Sequence, residues 1–266
     1  LGCGLIGSSI LRAINKNKLS KENSVFDKSK KVLDFLKKEK LSSEVTDDIR
    51  LAVKNADLVI EAVPEIPDLK HKIFSQLGQM TKVDCILGTN TSSLSIAEIA
   101  AASGRPEKVI GMHFFNPVPI MKLLELVKHD SCSEETIELA MAAGKAMDKT
   151  TILVKDVPGF ATSRLGVVLG NEAIRMLADG VASAKDIDTA MVLGYKHPMG
   201  PLALTDLVGL DVRRDILLNL KKSFNDDSYT PHPLLEKLVT EGRLGKKSGK
   251  GIYDWSSGSA EETNLP

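Results

Sequence analysis

The first half of the chain alternates short apolar runs with amphipathic segments. Four runs that are rich in apolar and β-branched residues predict buried strands, at 24–27, 57–63, 84–89 and 108–115. Apolar residues at helical spacing predict helices between them, at 5–18, 28–38, 47–55, 68–80 and 95–103. A helix at 134–147 and a strand at 149–154 follow. Strands that alternate with helices predict a parallel sheet that is covered on both faces.

The pattern changes after the Pro158-Gly159 step. Apolar residues then keep helical spacing in four segments, 160–179, 184–193, 200–223 and 232–242. No further strand is predicted before the tail of the chain. The sequence therefore predicts an α/β domain over 1–156 and an all-α domain over 157–266.

Composition narrows the classes of function. The 35 basic and 35 acidic residues give a formal net charge of zero, so electrostatics offer no reason to expect nucleic acid or a membrane surface as a partner. No apolar run reaches the length of a membrane span. The scattered Cys3, Cys85 and Cys132 show no paired metal spacing, so we expect no metal site and a reducing compartment, the cytoplasm.

The chain opens with Gly2, Gly4 and Gly7 in the spacing G-x-G-x-x-G. In a Rossmann-type fold these glycines permit a tight turn, close approach of backbone to a pyrophosphate, and close packing of helix on strand. The helix that starts at Leu5 and Ile6 would direct its free N–H groups at the phosphates. The motif predicts that the α/β domain binds a dinucleotide.

Asp27 supports this interpretation, because it ends the next apolar run 20 residues after Gly7 (27 − 7). A carboxylate there accepts hydrogen bonds from the adenosine ribose and favours NAD over NADP. The alternative is a glycine turn with an unrelated surface aspartate. The strand that should precede Gly2 is nearly absent, and we expect the natural protein to have a few apolar residues before Leu1.

The segment 111–127 carries the strongest indication of chemistry. His113 ends a predicted strand, a proline-containing turn follows, and the next apolar run contains Glu125. A turn between the two runs would bring Glu125 beside His113, where its carboxylate fixes the tautomer and stabilises the imidazolium. Such a histidine can take the proton of an alcohol while a hydride leaves the same carbon for a nicotinamide. A lone histidine is more often structural, so the hypothesis depends on the residues that accompany it.

Four motifs stand in order along the chain: NTSSL at 90–94, HFFNPVP at 113–119, MKLLEL at 121–126 and PGF at 158–160. In these motifs the chain resembles the L-3-hydroxyacyl-CoA dehydrogenase family. The resemblance implies a Rossmann-type NAD-binding domain followed by an all-α dimerisation domain, and a homodimer. It also implies oxidation of a 3-hydroxyacyl-CoA to the 3-oxoacyl-CoA.

The resemblance further implies roles for single residues. His113 matches the catalytic base and Glu125 the carboxylate that orients it. Ser92 matches a serine near the substrate hydroxyl and the nicotinamide, although it could merely cap the helix that begins near Ser95. Asn116 matches an asparagine beside the nicotinamide.

Other matched residues concern the cofactor and the substrate. Glu65 and Lys70 match residues that line the NAD site, although Glu65 could also be a plain surface carboxylate. Lys247 matches a lysine near the cofactor. The family usually has an asparagine three residues after PGF, near the substrate, and here Ser163 stands in its place. A serine can still donate a hydrogen bond but is shorter.

A larger departure lies between Asp27 and the strand at 57–63. The family commonly inserts a long helical hairpin there that embraces CoA, whereas this chain has room for about one helix and a loop. Over residues 28–56 the chain resembles prephenate dehydrogenases. The same is true of GCGLIGSSI, at the start of the chain. The lysine-rich helix at 28–40 could meet CoA phosphates, but a solvated helix face is the favoured interpretation.

Two other functions therefore stay open. One is an NAD-dependent dehydrogenase of a free hydroxy acid or sugar acid on the same scaffold. The other is a non-catalytic NAD-binding or structural protein.

Overall fold

The structure is a computed structural model that describes residues 1–18, 20–263 and 265. The chain divides into two compact units, Leu1–Phe160 and Ala161–Pro266. The first unit mixes strands and helices, whereas helices dominate the second. The predicted fold class is thus confirmed, while the domain limits drawn from the sequence stay a prediction.

The first unit is built on strands joined by helices. Its described elements are α1 (Leu5–Lys16), β1 (Ser24–Phe26), α2 (Lys30–Lys38), β2 (Glu44–Thr46), α3 (Ile49–Val53), β3 (Leu58–Glu61), α4 (Pro67–Met80), β4 (Ile86–Thr89), α5 (Ile96–Ala102), β5 (Val109–Phe114), β6 (Leu123–Lys128), α6 (Glu134–Ala146) and β7 (Thr150–Lys155). β2 is absent from the prediction because the three residues Glu-Val-Thr make no apolar run.

The strands pair in the order β3-β4-β5-β6-β7, and β1 pairs with β2. Residues 1–2 join these two groups, because Gly2 N–H donates to Phe26 O at 3.0 Å and Ala62 N–H donates to Leu1 O at 2.8 Å. They take the place of the nearly absent strand that the sequence predicted before Gly2. From residues 1–2 the strands follow in chain order towards β2 on one side and towards β7 on the other. Open α/β sheets bind ligands at the carboxyl edge of such a point.

One pairing differs from the parallel sheet that was predicted. β5 and β6 run antiparallel, while the pairs β3·β4, β4·β5 and β6·β7 are parallel. The physical reason is the short connection over 115–122, since a parallel neighbour needs a crossover of a dozen or more residues.

Both faces of the sheet are covered, as the sequence predicted. On one face Phe74, Leu77 and Ile99 of α4 and α5 pack with Val109 and Val127. On the other face Ile10 of α1 and Ile137 of α6 pack with strand residues of opposite parity, namely Ile110, Met112, Leu124 and Leu126. Because side chains alternate along a strand, His113 and Glu125 share the face of Val109 and Val127.

The second unit contains mainly helices. Its described elements are α7 (Thr162–Ala178), α8 (Ala184–Thr189), a π-helical turn (Ala190–Gly194), α9 (Pro201–Val208), α10 (Leu210–Phe224), α11 (Pro233–Thr240), and the two-residue strands β8 (Tyr253–Asp254) and β9 (Glu261–Glu262). The single helix predicted over 200–223 is interrupted at Gly209. Its φ of +111° cannot continue a helix and is accessible mainly to glycine.

A buried carboxylate ties the tail to the helices of this unit. Asp206 of α9 is fully buried and accepts from the backbone N–H of Ile252 and Tyr253 and from Trp255 Nε1, at 2.8–2.9 Å. These charge-assisted bonds give the carboxylate the donors that it needs away from water.

Within the described ranges, no helix combines the length and apolar character needed to cross a bilayer.

Candidate active site

The glycine turn leads directly into α1. Gly2 has a φ of +75°, and a Cβ on Gly7 would lie 2.1 Å from Gly2 O, so α1 can approach the turn only without that side chain. A Cβ on Gly4, the N-cap, would meet no described atom within 4 Å. Leu5 is 74% exposed and Ile6 is partly exposed. The first turn of α1 thus offers open space beside unpaired backbone donors.

Asp27 follows β1 and lies next to this turn. Its Oδ2 accepts from Cys3 N at 2.7 Å and its Oδ1 accepts from Ser29 N at 2.8 Å. Burial raises the pKa of the Cys3 thiol to about 11, so the thiol stays protonated at neutral pH. The turn, the helix N-terminus and the carboxylate fit the pyrophosphate and ribose of a dinucleotide.

His113 and Glu125 face each other across β5 and β6. Their residues are directly opposite in the antiparallel register, and His113 Nδ1 lies 2.9 Å from Glu125 Oε2. Glu125 is fully buried and His113 is 6% exposed. The contact directs Nδ1 at the carboxylate, which leaves Nε2 to exchange a proton with another molecule.

Aromatic rings enclose the imidazole. The Phe115 ring centroid is 4.6 Å from that of His113, and the Phe160 centroid is 6.0 Å away. Phe160 belongs to the motif PGF, but sequence reasoning did not connect its ring with His113. The backbone there has φ values of +76° at Gly159 and +48° at Phe160, and this turn directs the ring into the core.

The loop that carries Asn116 is held by side chains from two other parts of the chain. Asn116 is exposed and precedes a cis peptide bond to Pro117. Val118 N donates to Ser9 Oγ of α1 at 2.9 Å, and Lys149 Nζ donates to Met121 O at 2.8 Å. Burial lowers the pKa of Lys149. The loop that follows His113 is thereby tied to the helix that follows the glycine turn.

The NTSSL segment lies at the carboxyl end of β4. Glu65 Oε1 accepts from Ser92 N at 2.9 Å, from Ser93 N at 3.2 Å and from the Thr91 hydroxyl at 2.5 Å. Ser92 is partly exposed and does not cap α5, since the N-cap is Ser95, which accepts from Glu98 N. Glu65 is therefore the acceptor that holds this loop rather than a plain surface carboxylate.

Lys70 lies deeper than the sequence indicated. It is fully buried, and its Nζ lies 2.8 Å from Glu61 Oε1 and 3.4 Å from Glu65 Oε2. Sequence reasoning missed Glu61, although a charged residue inside the apolar run 57–63 is a signal of a buried polar site. It also assigned no role to Asn90, whose Oδ1 accepts from Phe114 N at 2.8 Å.

The remaining predicted residues lie in the second unit or on the segment after Asp27. Ser163 is partly exposed in the first turn of α7, and Lys247 Nζ pairs with Asp211 Oδ1 at 2.5 Å. In α2 the lysines are exposed and Leu36 is fully buried, which is the pattern of a solvated helix face. The favoured interpretation from the sequence is this solvated face, and a contact between these lysines and CoA is the untested alternative.

The fold and this geometry define a class, the dinucleotide-dependent oxidoreductases with a Rossmann-type domain. The sequence model of the 3-hydroxyacyl-CoA dehydrogenase NAD binding domain matches residues 6–157, and that of the family's C-terminal domain matches residues 159–255. The chain belongs to the 3-hydroxyacyl-CoA dehydrogenase family, and its first domain is an NAD-binding domain.

Individual relatives agree with this assignment. The chain is 48% identical to 3-hydroxybutyryl-CoA dehydrogenase of Clostridioides difficile over 204 residues, which cover 77% of this chain and 73% of the relative. It is 39% identical to the human mitochondrial hydroxyacyl-coenzyme A dehydrogenase over 92% of this chain and 76% of that protein. The crystal structure of (S)-3-hydroxybutyryl-CoA dehydrogenase from Ralstonia eutropha is similar, with a TM-score of 0.87, 36% identity, and coverage of 95% of this chain and 96% of that chain.

Gly4, the N-cap of α1, and Gly7, in its first turn, should respond differently to the same substitution. We expect Gly4→Ala to fold normally, because its Cβ enters open space, but to weaken NADH binding by about tenfold or more, because that space is where the pyrophosphate meets backbone. We expect Gly7→Ala to lower the melting temperature, because its Cβ would clash with Gly2 O. Fluorescence titration with NADH and thermal unfolding measure the two effects. Equal NADH affinity in Gly4→Ala and the wild type would contradict the assignment of the phosphate site.

Proposed function

We propose that this protein oxidises L-3-hydroxyacyl-CoA, such as 3-hydroxybutyryl-CoA, to 3-oxoacyl-CoA with NAD⁺, and catalyses the reverse reaction with NADH. The observation that carries the proposal is the 2.9 Å contact between His113 Nδ1 and Glu125 Oε2 at the carboxyl edge of the NAD-binding sheet. The relatives named 3-hydroxybutyryl-CoA dehydrogenase support the substrate class.

In the oxidative direction His113 Nε2 takes the proton of the 3-hydroxyl group. NAD⁺ held by the glycine turn and Asp27 would supply the acceptor for the hydride of the same carbon. The carboxylate of Glu125 holds the imidazole in one tautomer and stabilises the imidazolium as it forms. In the reverse direction the imidazolium returns the proton to the carbonyl oxygen. His113 is 6% exposed, lies against Phe115 and Phe160, and pairs with a fully buried carboxylate, so the pair acts in a site of low dielectric.

Other site residues take the roles that their motifs imply. Ser92 and Asn116 would lie beside the substrate hydroxyl and the nicotinamide, and Ser163 beside the acyl thioester. Gly2, Gly4 and Gly7 with Asp27 would hold the pyrophosphate and the ribose. Further cofactor contacts are assigned to Leu5, Ile6, Glu65, Lys70 and Lys247. We assign the NAD-binding domain to 1–156 and the helical domain to 157–266.

We further propose that the protein works in the cytoplasm as a homodimer and serves fatty acid metabolism through β-oxidation. The three cysteines are free thiols, which supports a reducing compartment. α7, α9 and α10 expose large apolar side chains, among them Leu165 at 72% and Val168 at 45%. Exposed apolar residues on neighbouring helices are typical of a subunit interface.

One observation favours a second candidate function. The segment 28–56 folds as α2, β2 and α3 and contains no long helical hairpin. A dehydrogenase of a free hydroxy acid would need no such grip on CoA. The deciding experiment compares acetoacetyl-CoA with free acetoacetate as oxidants of NADH. Preference for free acetoacetate would replace the acyl-CoA proposal, and inertness towards a broad panel of both would favour a non-catalytic NAD-binding protein.

His113→Gln tests the assignment of the base. We expect turnover of acetoacetyl-CoA to fall by about 100-fold or more while NADH affinity is unchanged, because the amide cannot transfer the proton. His129→Gln is a matched control, since His129 is also 6% exposed but its Nε2 lies against a backbone oxygen, Val109 O, at 3.2 Å. Unchanged turnover in His113→Gln would remove the central assignment.

Glu125→Gln tests the carboxylate. The amide still reaches Nδ1 but no longer stabilises the imidazolium, so we expect oxidation and reduction both to slow by about tenfold or more. The neutral base is then favoured, so the rise of the oxidation rate with pH should move to lower pH. Rate–pH profiles in both directions measure the change, with the exposed Glu138→Gln as control. A profile identical to that of the wild type would contradict the pairing.

Leu165→Asp tests the interface. We expect the wild type to sediment as a dimer and Leu165→Asp to sediment as a monomer, because the charge would be buried between subunits. Val83→Asp, at a side chain that is 81% exposed in the α/β unit, should stay dimeric. A monomeric wild type, or a dimeric Leu165→Asp, would overturn the proposal for this face.

A further inference from the structure

Glu61 and Lys70 form an ion pair that is completely buried. Both residues have zero exposure, and the ammonium of Lys70 lies 2.8 Å and 3.0 Å from the two carboxylate oxygens of Glu61. Glu61 also accepts from Val63 N at 2.6 Å and from Thr89 Oγ1 at 2.7 Å. The carboxylate thus bridges the carboxyl ends of β3 and β4 and the start of α4. A buried charge without its partner is strongly unfavourable, so each member of the pair keeps the other in place.

The pair is connected to the loop that carries Ser92. The ammonium of Lys70 is 3.4 Å from Glu65 Oε2, and the other oxygen, Glu65 Oε1, accepts from Ser92 N and Ser93 N. The side chain of Glu65 is 38% exposed, so in the absence of the buried ammonium it could turn towards water. Lys70 is the described cation that opposes this movement. The ammonium of Lys70 thus lies between the carboxylates of Glu61 and Glu65. Glu65 in turn accepts from backbone N–H groups of the loop.

The same hydrogen-bond network reaches β5, the strand that carries His113. Asn90 N donates to Glu61 O at 2.8 Å, and Asn90 Oδ1 accepts from Phe114 N at 2.8 Å. Phe114 directly follows His113 in β5. The loop over 90–93 is therefore fixed at one end to the strand that holds His113 and at the other to Glu65.

We propose that Glu61 is a positioning residue, which holds Lys70 beneath Glu65 so that Glu65 keeps the 91–93 loop, with Ser92, in place beside the nicotinamide end of the site. Glu61 itself touches neither cofactor nor substrate in this arrangement, since its carboxylate is enclosed. Besides the cofactor contact assigned to it above, Lys70 then acts on the cofactor site through Glu65. The inference rests on the proposed function only for its turnover readout.

The test compares three variants: Glu61→Gln, the double variant Glu61→Gln/Lys70→Met, and Glu135→Gln. Glu61→Gln leaves a buried ammonium with too little negative charge, which would draw Glu65 off the loop. We expect amide exchange in residues 90–94 to accelerate, NADH affinity to weaken and kcat/KM with acetoacetyl-CoA to fall, each by about tenfold or more. Glu135→Gln removes an exposed glutamate 2.7 Å from Lys108 and should change none of them.

The double variant separates positioning from stability. It removes both buried charges, so we expect its melting temperature to return towards that of the wild type. Glu65 would still lack its ammonium, so fast amide exchange over 90–94 and low kcat/KM should persist. If amide exchange over 90–94 and kcat/KM recover together with the melting temperature, the pair only stabilises the fold. That result would overturn the inference. The inference would also be overturned if Glu61→Gln had the same amide exchange and the same NADH affinity as the wild type.

Amide exchange and NADH affinity do not depend on the substrate. A wild type that fails to reduce acetoacetyl-CoA would therefore count against the proposed function alone. Unchanged exchange in Glu61→Gln would count against the positioning role alone.

Discussion

The site depends on one pairing of strands, the antiparallel register of β5 and β6 that sets His113 directly opposite Glu125. Side chains opposite each other on one face of a sheet are close enough to bond without any further arrangement. A register shift of a single residue would turn one of the two towards the other face. The loop over 115–122 protects this register, because Ser9 and Lys149 hold it from both sides.

The carboxyl edge of the sheet concentrates polar groups that are not exposed to water. Glu61, Lys70 and Glu125 are fully buried, and His113 nearly so. Each is held by a specific partner, since an unpaired buried charge would cost more than folding can supply. The consequence is a rigid edge, in which the glycine turn, the 90–93 loop and the imidazole keep fixed positions on one scaffold. Rigid support of this kind suits a reaction in which a proton and a hydride leave neighbouring atoms.

Much of this arrangement could be predicted from the sequence. The alternation of strands and helices, the glycine spacing, Asp27 and the pairing of His113 with Glu125 are all visible in contiguous or regularly spaced residues. Phe160 and Asn90 stand inside motifs that the sequence analysis singled out, yet their contacts with His113 and Phe114 have no local signal. The burial of Lys70 was not anticipated, because a lysine in a proline-bounded segment gives no indication that Glu61 will enclose its ammonium. The short strand β2 also escaped prediction, since it exists only by pairing with β1.

The sequence by itself determined the class of fold and the dinucleotide turn, and it singled out the two residues proposed as the acid/base pair. These depend on local spacing, on the conformational freedom of glycine and on the chemistry of single side chains, and such properties belong to short stretches of chain. Only the tertiary structure decided that residues 1–2 lie between β1 and β3, and that Lys70 faces Glu61 and Glu65. The order of strands in the sheet and the removal of a charge from water arise from contacts between distant segments, and no local pattern encodes them.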